Sequence, residues 1–324
     1  MLYPFKFTPI LKEKVWGGRK LKTKLNKKAD KEHIGESWEL SCLPGAVSVV
    51  SEGSMEGLSL SQLTERYKDS FTGKKIYKRF GNNFPLLIKF IDATDDLSVQ
   101  VHPDDFTAKE KHKAKGKSEL WYIIDADKGA ELVLGVNKKQ TKEGFRKLLD
   151  SNKVEQALNT VKVKPGDVFF IPAGRIHAIK KGILLAEIQQ SSDITYRLYD
   201  WNRKGLDGKY RNLHIDDALD AADLNPKKSY FSEYKKVKNE FIVCESNSLF
   251  TVNILIFNKE IERNYFDIDS FRIVICIKGS FKIYYPDESV EVKKGETVLI
   301  PAVLNEIRFV PETESELLEV YIAS

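Results

Sequence analysis

Residues Leu97–Glu119 read LSVQVHPDDFTAKEKHKAKGKSE, and the opening Ser98-Val99-Gln100-Val101-His102 alternates polar and β-branched side chains with period two. In a strand this pattern turns Ser98, Gln100 and His102 to one face and Val99 and Val101 to the other. A polar row on an inward face needs partners, because burying such groups unpaired costs about 2–7 kcal/mol each. A bound metal is one such partner. Pro103 cannot donate to a sheet ladder, so Pro103-Asp104-Asp105 ends the strand. After a charged excursion the chain turns apolar again at Ser118-Glu119-Leu120-Trp121-Tyr122-Ile123-Ile124, with Glu119 at the edge. Gln100, His102 and Glu119 on adjacent strands could give a divalent ion three side-chain ligands. The bland alternative is a polar strand end beside a surface glutamate.

Upstream, residues 1–55 read as short strands and loops. Val15-Trp16-Gly17-Gly18-Arg19 is expected to be a turn and Ile34–Ser41 a strand, with Trp16 and Trp38 as core residues or as walls of a sugar pocket. Leu60, Leu63, Tyr67 and Phe71 recur at helical spacing behind Ser59, a good N-cap. Phe84–Ile91 is an apolar run of strand length broken by Lys89. That lysine is either an edge residue reaching for water or an inward anion contact. Thr107-Ala108-Lys109-Glu110 has the form of a capping box, and Thr141–Leu158 carries a second helical interval.

Downstream, a β unit is repeated. Val163-Lys164-Pro165-Gly166-Asp167-Val168-Phe169-Phe170-Ile171-Pro172-Ala173 is echoed by Val292-Lys293-Lys294-Gly295-Glu296-Thr297-Val298-Leu299-Ile300-Pro301-Ala302. Each copy is a glycine turn, a short strand and a closing proline, so two related β domains are expected. Their boundaries fall at 1–225 and 239–324, with the charged Asn225–Lys238 as linker. The first copy runs on to His177; the second continues Val303-Leu304-Asn305-Glu306 with no histidine. Chemistry is therefore expected in the first domain alone.

Composition sets the outer bounds. With 324 residues the chain is long enough for two domains. The 52 basic and 47 acidic residues leave a net charge of only +5, spread along the chain, which disfavours a nucleic-acid partner. Three cysteines without paired spacing, Cys42, Cys244 and Cys276, argue against a disulfide framework and for a reducing cytoplasm. The lysine-broken N-terminus MLYPFKFTPILKEKVWGG is neither a signal peptide nor a membrane anchor. A cytoplasmic protein with no membrane partner is the expectation.

Gly166, Pro172, Gly174 and His177 give the spacing G-x5-P-x-G-x2-H, which resembles the second sequence motif of cupins, small double-stranded β-barrels of the jelly-roll kind. The first cupin motif normally holds two histidines close to a glutamate; here Gln100 takes the first place and Glu119 lies well beyond His102. The departure itself is informative. With Pro85–Lys89, Leu97–Asp104, Lys117-Ser118-Glu119 and Gln189-x-Ser191-Ser192-Asp193-Ile194-Thr195-Tyr196-Arg197, the chain resembles type I mannose-6-phosphate isomerase, in the compact bacterial form, in order through residues 1–205. The resemblance implies a mainly β protein of two cupin barrels with a few peripheral helices, the second barrel metal-free. It also implies one Zn2+ per chain on His102, Glu119 and His177, with Gln100 as a further ligand. Imidazole and carboxylate donors suit zinc on independent chemical grounds.

The reaction implied interconverts mannose 6-phosphate and fructose 6-phosphate, moving a proton between C2 and C1 through an enediol-like intermediate. Arg197 matches the family's proposed catalytic arginine. Its pKa above about 12 suits it to charge stabilisation and orientation more than to proton abstraction. Lys117 and Asp193 are the alternative proton carriers. Ser98, Lys89 and Trp16 are the candidate substrate contacts, and Lys89, Lys117, Arg197 and Arg203 the cations available to a phosphorylated hexose. Two other classes compete. A metal-dependent cupin oxygenase would usually want iron on mostly histidine ligands, and a non-catalytic sugar-binding cupin would normally feed an attached reader domain.

Overall fold

The structure, a computed structural model, describes residues 2–286 and 288–323. It is mainly β, with four principal sheets stacked face to face. The outermost takes strands in the order Leu158–Lys162, Glu131–Val136, His177–Ile179, Val99–Val101, Tyr196–Tyr199. The second runs Val168–Ile171, Glu119–Ala126, Ile183–Gln190, Leu86–Ala93, Ile34–Leu40, Ile10–Gly18. These two enclose the first jelly-roll barrel, filled by Trp16, Ile91, Trp121, Leu134 and Leu185. The third sheet (Phe5–Lys6, Thr297–Ile300, Arg272–Lys278, Ser315–Tyr321, Thr251–Phe257, Phe241–Ser246) and the fourth (Ile261–Asn264, Glu306–Pro311, Ser280–Tyr285, Glu288–Lys293) form the second barrel around Phe257, Phe281 and Phe309.

The second and third sheets are buried on both faces, and the period-two rule sorts their side chains. Trp121, Ile123 and Leu185 enter the first barrel, whereas Leu120, Tyr122, Leu184, Ala186 and Ile188 face the neighbouring sheet. From the other side Ile273, Ile275, Leu318 and Val320 meet them, so one continuous core joins the barrels. The first strand of the chain adds to the tie: Phe5 and Lys6 pair with Leu299 and Val298 of the second barrel. Helices Lys142–Asp150 and Ile215–Ala221 cover the outer face of the first sheet, packing on Val99, Val101 and Leu198.

The repeated β unit is repeated in structure. In the first copy the Gly166 amide donates to the Ile123 carbonyl at 2.8 Å and the Asp167 amide to Lys164 at 3.1 Å. The second copy has Gly295 to Cys276 at 2.9 Å and Glu296 to Lys293 at 2.9 Å. The strands that follow are four residues long, Val168–Ile171 and Thr297–Ile300.

Four local readings need correction. Val15–Gly18 is the end of a strand, not a turn: Gly17 and Gly18 are there because a Cβ at Gly17 would lie 2.4 Å from the Gly35 amide nitrogen across the pair. The helix expected at Thr107 spans Asp105–His112, and its cap is Asp104, whose carboxylate accepts from the Thr107 amide at 2.8 Å. The interval Thr141–Leu158 breaks into helix Lys142–Asp150, a single turn Val154–Ala157 and the start of a strand. Lys89 is no edge residue, since its strand lies between Ile183–Gln190 and Ile34–Leu40 and its side chain is buried. The Ser59 cap does form, as a reciprocal box with Gln62 on helix Leu60–Thr72.

Candidate metal centre

Three chain segments converge at one end of the first barrel. The strand Val99–Val101 delivers Gln100 and, just past it, His102. The chain then leaves through the Asp105–His112 helix and must return beside its own start. Gly116 permits this, for a Cβ there would stand 2.5 Å from the Asp104 carbonyl carbon and the Asp105 amide. The returning Lys117 amide bonds the Pro103 carbonyl at 3.1 Å, and Glu119 begins the next strand of the facing sheet. His177 opens a strand that pairs with Gln100 directly.

His102, Glu119 and His177 are at most 1% exposed, and their ligand atoms lie within 4.8 Å of one another. Among the described residues they form the one such group of three. His102 Nε2 is 3.6 Å from Glu119 Oε2, and His177 Nε2 is 3.3 Å from Glu119 Oε1. Each imidazole is fixed from behind: His102 Nδ1 lies 2.9 Å from the Ile194 carbonyl and His177 Nδ1 2.8 Å from that of Arg175. A backbone carbonyl only accepts, so each Nδ1 carries the proton and each Nε2 turns a lone pair inward. His102 Nε2 and both Glu119 oxygens are buried without a hydrogen-bond donor. Three orphaned donor atoms of two imidazoles and a carboxylate fit a divalent ion such as zinc. Gln100 stands beside them, its Nε2 3.2 Å from His177 Nε2; Ser98 Oγ donates to Gln100 Oε1 at 3.4 Å.

The electrostatics prepare these groups as ligands. Burial holds the His177 imidazole down to about 4, and burial with the nearby Lys117 cation holds His102 well below its ordinary value. Both are neutral at pH 7. Glu119 is pushed up by burial and by the Glu187 carboxylate, whereas Lys89 and Lys117 hold Glu187 low in spite of its burial. A histidine kept neutral in the fold takes up no proton where the unfolded chain does. The part of the metal-free protein's stability that His102 and His177 supply should therefore be full above about pH 6.5 and fade as pH falls toward 4, with Glu119 acting in the opposite sense as it takes up its proton near 7. Denaturation midpoints measured in chelator across that range check this, and a His102→Gln/His177→Gln variant should show a flatter profile.

Above the cluster opens a cavity of about 480 Å³. Trp16, Lys89, Ser98, Gln100, Lys117, Asp193 and Arg197 all line it. Lys117 Nζ sits 3.3 Å from Glu119 Oε2, and Lys89 Nζ donates to Glu187 at 2.9 Å and Gln189 at 2.7 Å. Arg197 gives Nη1 to the Asn212 carbonyl at 2.9 Å, not to Asp193, and its Nε is buried without a partner. Arg203 is not brought to the cavity; it is committed to Asp95 at 3.0 Å and Asp200 at 3.2 Å. Glu36, Glu187, Arg211 and His214, which no motif in the sequence singles out, line the cavity too.

The second barrel shows what stands at the same places. Glu119 pairs with Ile171, and its counterpart opposite Ile300 is Arg272. Glu187, opposite Lys89, has its counterpart in Glu319, opposite Asn253. Arg272 is fully buried, its guanidinium 4.1 Å over the Tyr265 ring and bonded to the Ser270 carbonyl at 2.7 Å. Burial pulls it down to about 10, which leaves it charged at neutral pH.

Residues 4–148 match the family described as phosphomannose isomerase type I, catalytic domain. Over 320 residues the chain is 35% identical to a mannose-6-phosphate isomerase of Bacillus subtilis strain 168, covering 94% of this chain and 95% of the other. It is 33% identical over 310 residues to the mannose-6-phosphate isomerase of Streptococcus mutans, covering 95% and 96%. The crystal structure of mannose 6-phosphate isomerase from Bacillus subtilis superposes with a TM-score of 0.90 at 33% identity, over 98% of this chain and 99% of that one.

Proposed function

The chain belongs to the type I phosphomannose isomerases, and from that membership we propose that it interconverts mannose 6-phosphate and fructose 6-phosphate, using one zinc ion on His102, Glu119 and His177 with Gln100 as a further ligand. The observation that carries the reading is the convergence of the His102, Glu119 and His177 ligand atoms, all within 4.8 Å of one another, beneath a cavity rich in cations. When bound, the ion supplies Lewis-acid stabilisation to negative charge gathering on a sugar oxygen.

The side chains divide the remaining work. The reaction moves a proton between C2 and C1 by way of an enediol-type species. Lys117 and Asp193, both on the cavity wall, are the candidates to carry that proton. Arg197 presents a permanent charge to the cavity and serves to orient the sugar and steady the developing oxyanion. Ser98 and Trp16 contact the sugar. Glu187 is engaged at both oxygens, by Lys89 at 2.9 Å and the Trp121 indole at 3.0 Å, so it braces the wall that holds Lys89 in place.

In this reading residues 1–225 are the catalytic unit and 239–324 a metal-free support. The three cysteines are free, in keeping with a reducing cytoplasm, and no helix of the described residues is long and apolar enough to cross a membrane. Purified protein should hold about one zinc per chain and form fructose 6-phosphate in a coupled assay. Chelation should abolish turnover and zinc restore it; zinc-loaded protein without turnover would overturn the assignment. Substituting Asn305 or Glu306, which stand where the second copy lacks its histidine, should leave turnover nearly intact. A loss like that on removing His177 would make the second barrel part of the site.

A further inference from the structure

The cations of the cavity differ in what already holds them. Lys14, Lys89 and Lys117 are each paired with a carboxylate, Glu36 at 3.2 Å, Glu187 at 2.9 Å and Glu119 at 3.3 Å. Arg211 is held differently. Its Nε donates to Asp200 Oδ2 at 2.6 Å and its Nη2 to the other oxygen, which leaves Nη1 without a partner among the described residues. Asp200 is buried and also takes Arg203 Nη2 at 3.2 Å, so one carboxylate grips both ends of the loop 201–213. That loop is hairpin-like: Lys204 bridges Tyr210, and the Gly205 amide bonds the Lys209 carbonyl at 2.8 Å. It then returns onto Arg197, with the His214 amide 2.8 Å from the Arg197 carbonyl.

We propose that Arg211 recognises the phosphate of the sugar and that Asp200 positions it, which makes the 201–213 hairpin the specificity element of the cavity. The inference rests on the isomerase reading above. A guanidinium suits a phosphate monoester because it is planar and permanently charged, and a carboxylate on one edge fixes its plane while leaving a free edge. Lys12 and Arg197 are the competing cations: both line the same cavity, Lys12 with its Nζ 4.8 Å over the Trp38 ring and Arg197 with only the Asn212 carbonyl as side-chain partner among the described residues.

On zinc-loaded protein, Arg211→Met should raise KM for mannose 6-phosphate about 10- to 100-fold with kcat little changed, the loss of one charge-assisted bond. Arg211→Lys should fall between. Asp200→Asn should reproduce part of the rise, and the double variant should be no worse than Arg211→Met, because Asp200 acts through Arg211. A merely structural Asp200 would instead lower kcat and the melting temperature together and add to the Arg211 loss. Inorganic phosphate should inhibit the wild type competitively and raise its melting temperature, and both effects should vanish in Arg211→Met. Unchanged KM and phosphate inhibition in that variant, or a KM rise found in Lys12→Met instead, would overturn the proposal. A wild type that never turns over mannose 6-phosphate, yet is stabilised by phosphate through Arg211, would overturn the isomerase reading and leave the anchor standing.

Discussion

Alanine at His177 or His102 should empty the metal site and lower turnover by about 10³-fold or more, while the chain stays folded. The loss follows from geometry. Each imidazole has its Nδ1 tied to a backbone carbonyl and its Nε2 aimed at Glu119, so neither can be replaced by a neighbour swinging in. Removing one leaves Glu119, a single histidine and the neutral amide of Gln100, a donor set too weak to hold the ion. The transition state then loses Lewis-acid stabilisation worth several kcal/mol, about 10³-fold in rate or more. Folding should survive because the strands carrying the two histidines pack their opposite face under the outer helices, and the apolar core shared by the barrels is built from other strands. Metal analysis, circular dichroism and the coupled assay on each variant read the three effects separately. Stoichiometric zinc in the double alanine variant would refute the ligand assignment.

Arg197→Ala should cost about 10²–10³-fold in kcat, by analogy with deleting one oxyanion donor, while Arg197→Lys should keep part of the activity with little change in KM. Lysine retains the charge and loses the planar fork. The Arg197 main chain is fixed by pairing with Gln100 and by its amide's hydrogen bond to His214 Nδ1, and its side chain by the Asn212 carbonyl, with the unpartnered Nε buried beside the cavity. A guanidinium placed in this way and still short of partners is suited to charge that appears only during reaction. Steady-state kinetics of both variants decide the point. Unchanged kcat with a large rise in KM would make Arg197 a binding residue and nothing more.

The alternation Ser98-Val99-Gln100-Val101-His102 carried its own structural meaning: the valines pack under the outer helices and the polar row faces the barrel interior. His177 was legible because its spacing after Gly166, Pro172 and Gly174 resembles the second cupin motif. Lys89 stayed open between an edge position and an inward one because a single strand does not reveal its neighbours. The signal lay in the other strand. Ile183–Gln190 is ILLAEIQQ, with one acid among apolar residues, and Glu187 falls directly opposite Lys89 in register. Two lone opposite charges in two apolar strands are more telling than either alone. Arg211 gave no comparable sign, for it lies in a polar loop with no periodicity and is brought to the cavity only by Asp200.

Arg272, at the register position of Glu119, is a cation that belongs to the chain and cannot dissociate. The ion proposed for the first barrel would come from solution, so its contribution to stability would rise and fall with free metal by mass action. The second barrel's contribution does not vary. Because the two share one core, a chain starved of metal keeps one half whose packing does not depend on the ion, and against it the other half stays packed. Scarcity of the ion should therefore silence the enzyme without condemning it to unfolding and degradation, leaving a reserve that regains activity as soon as metal returns.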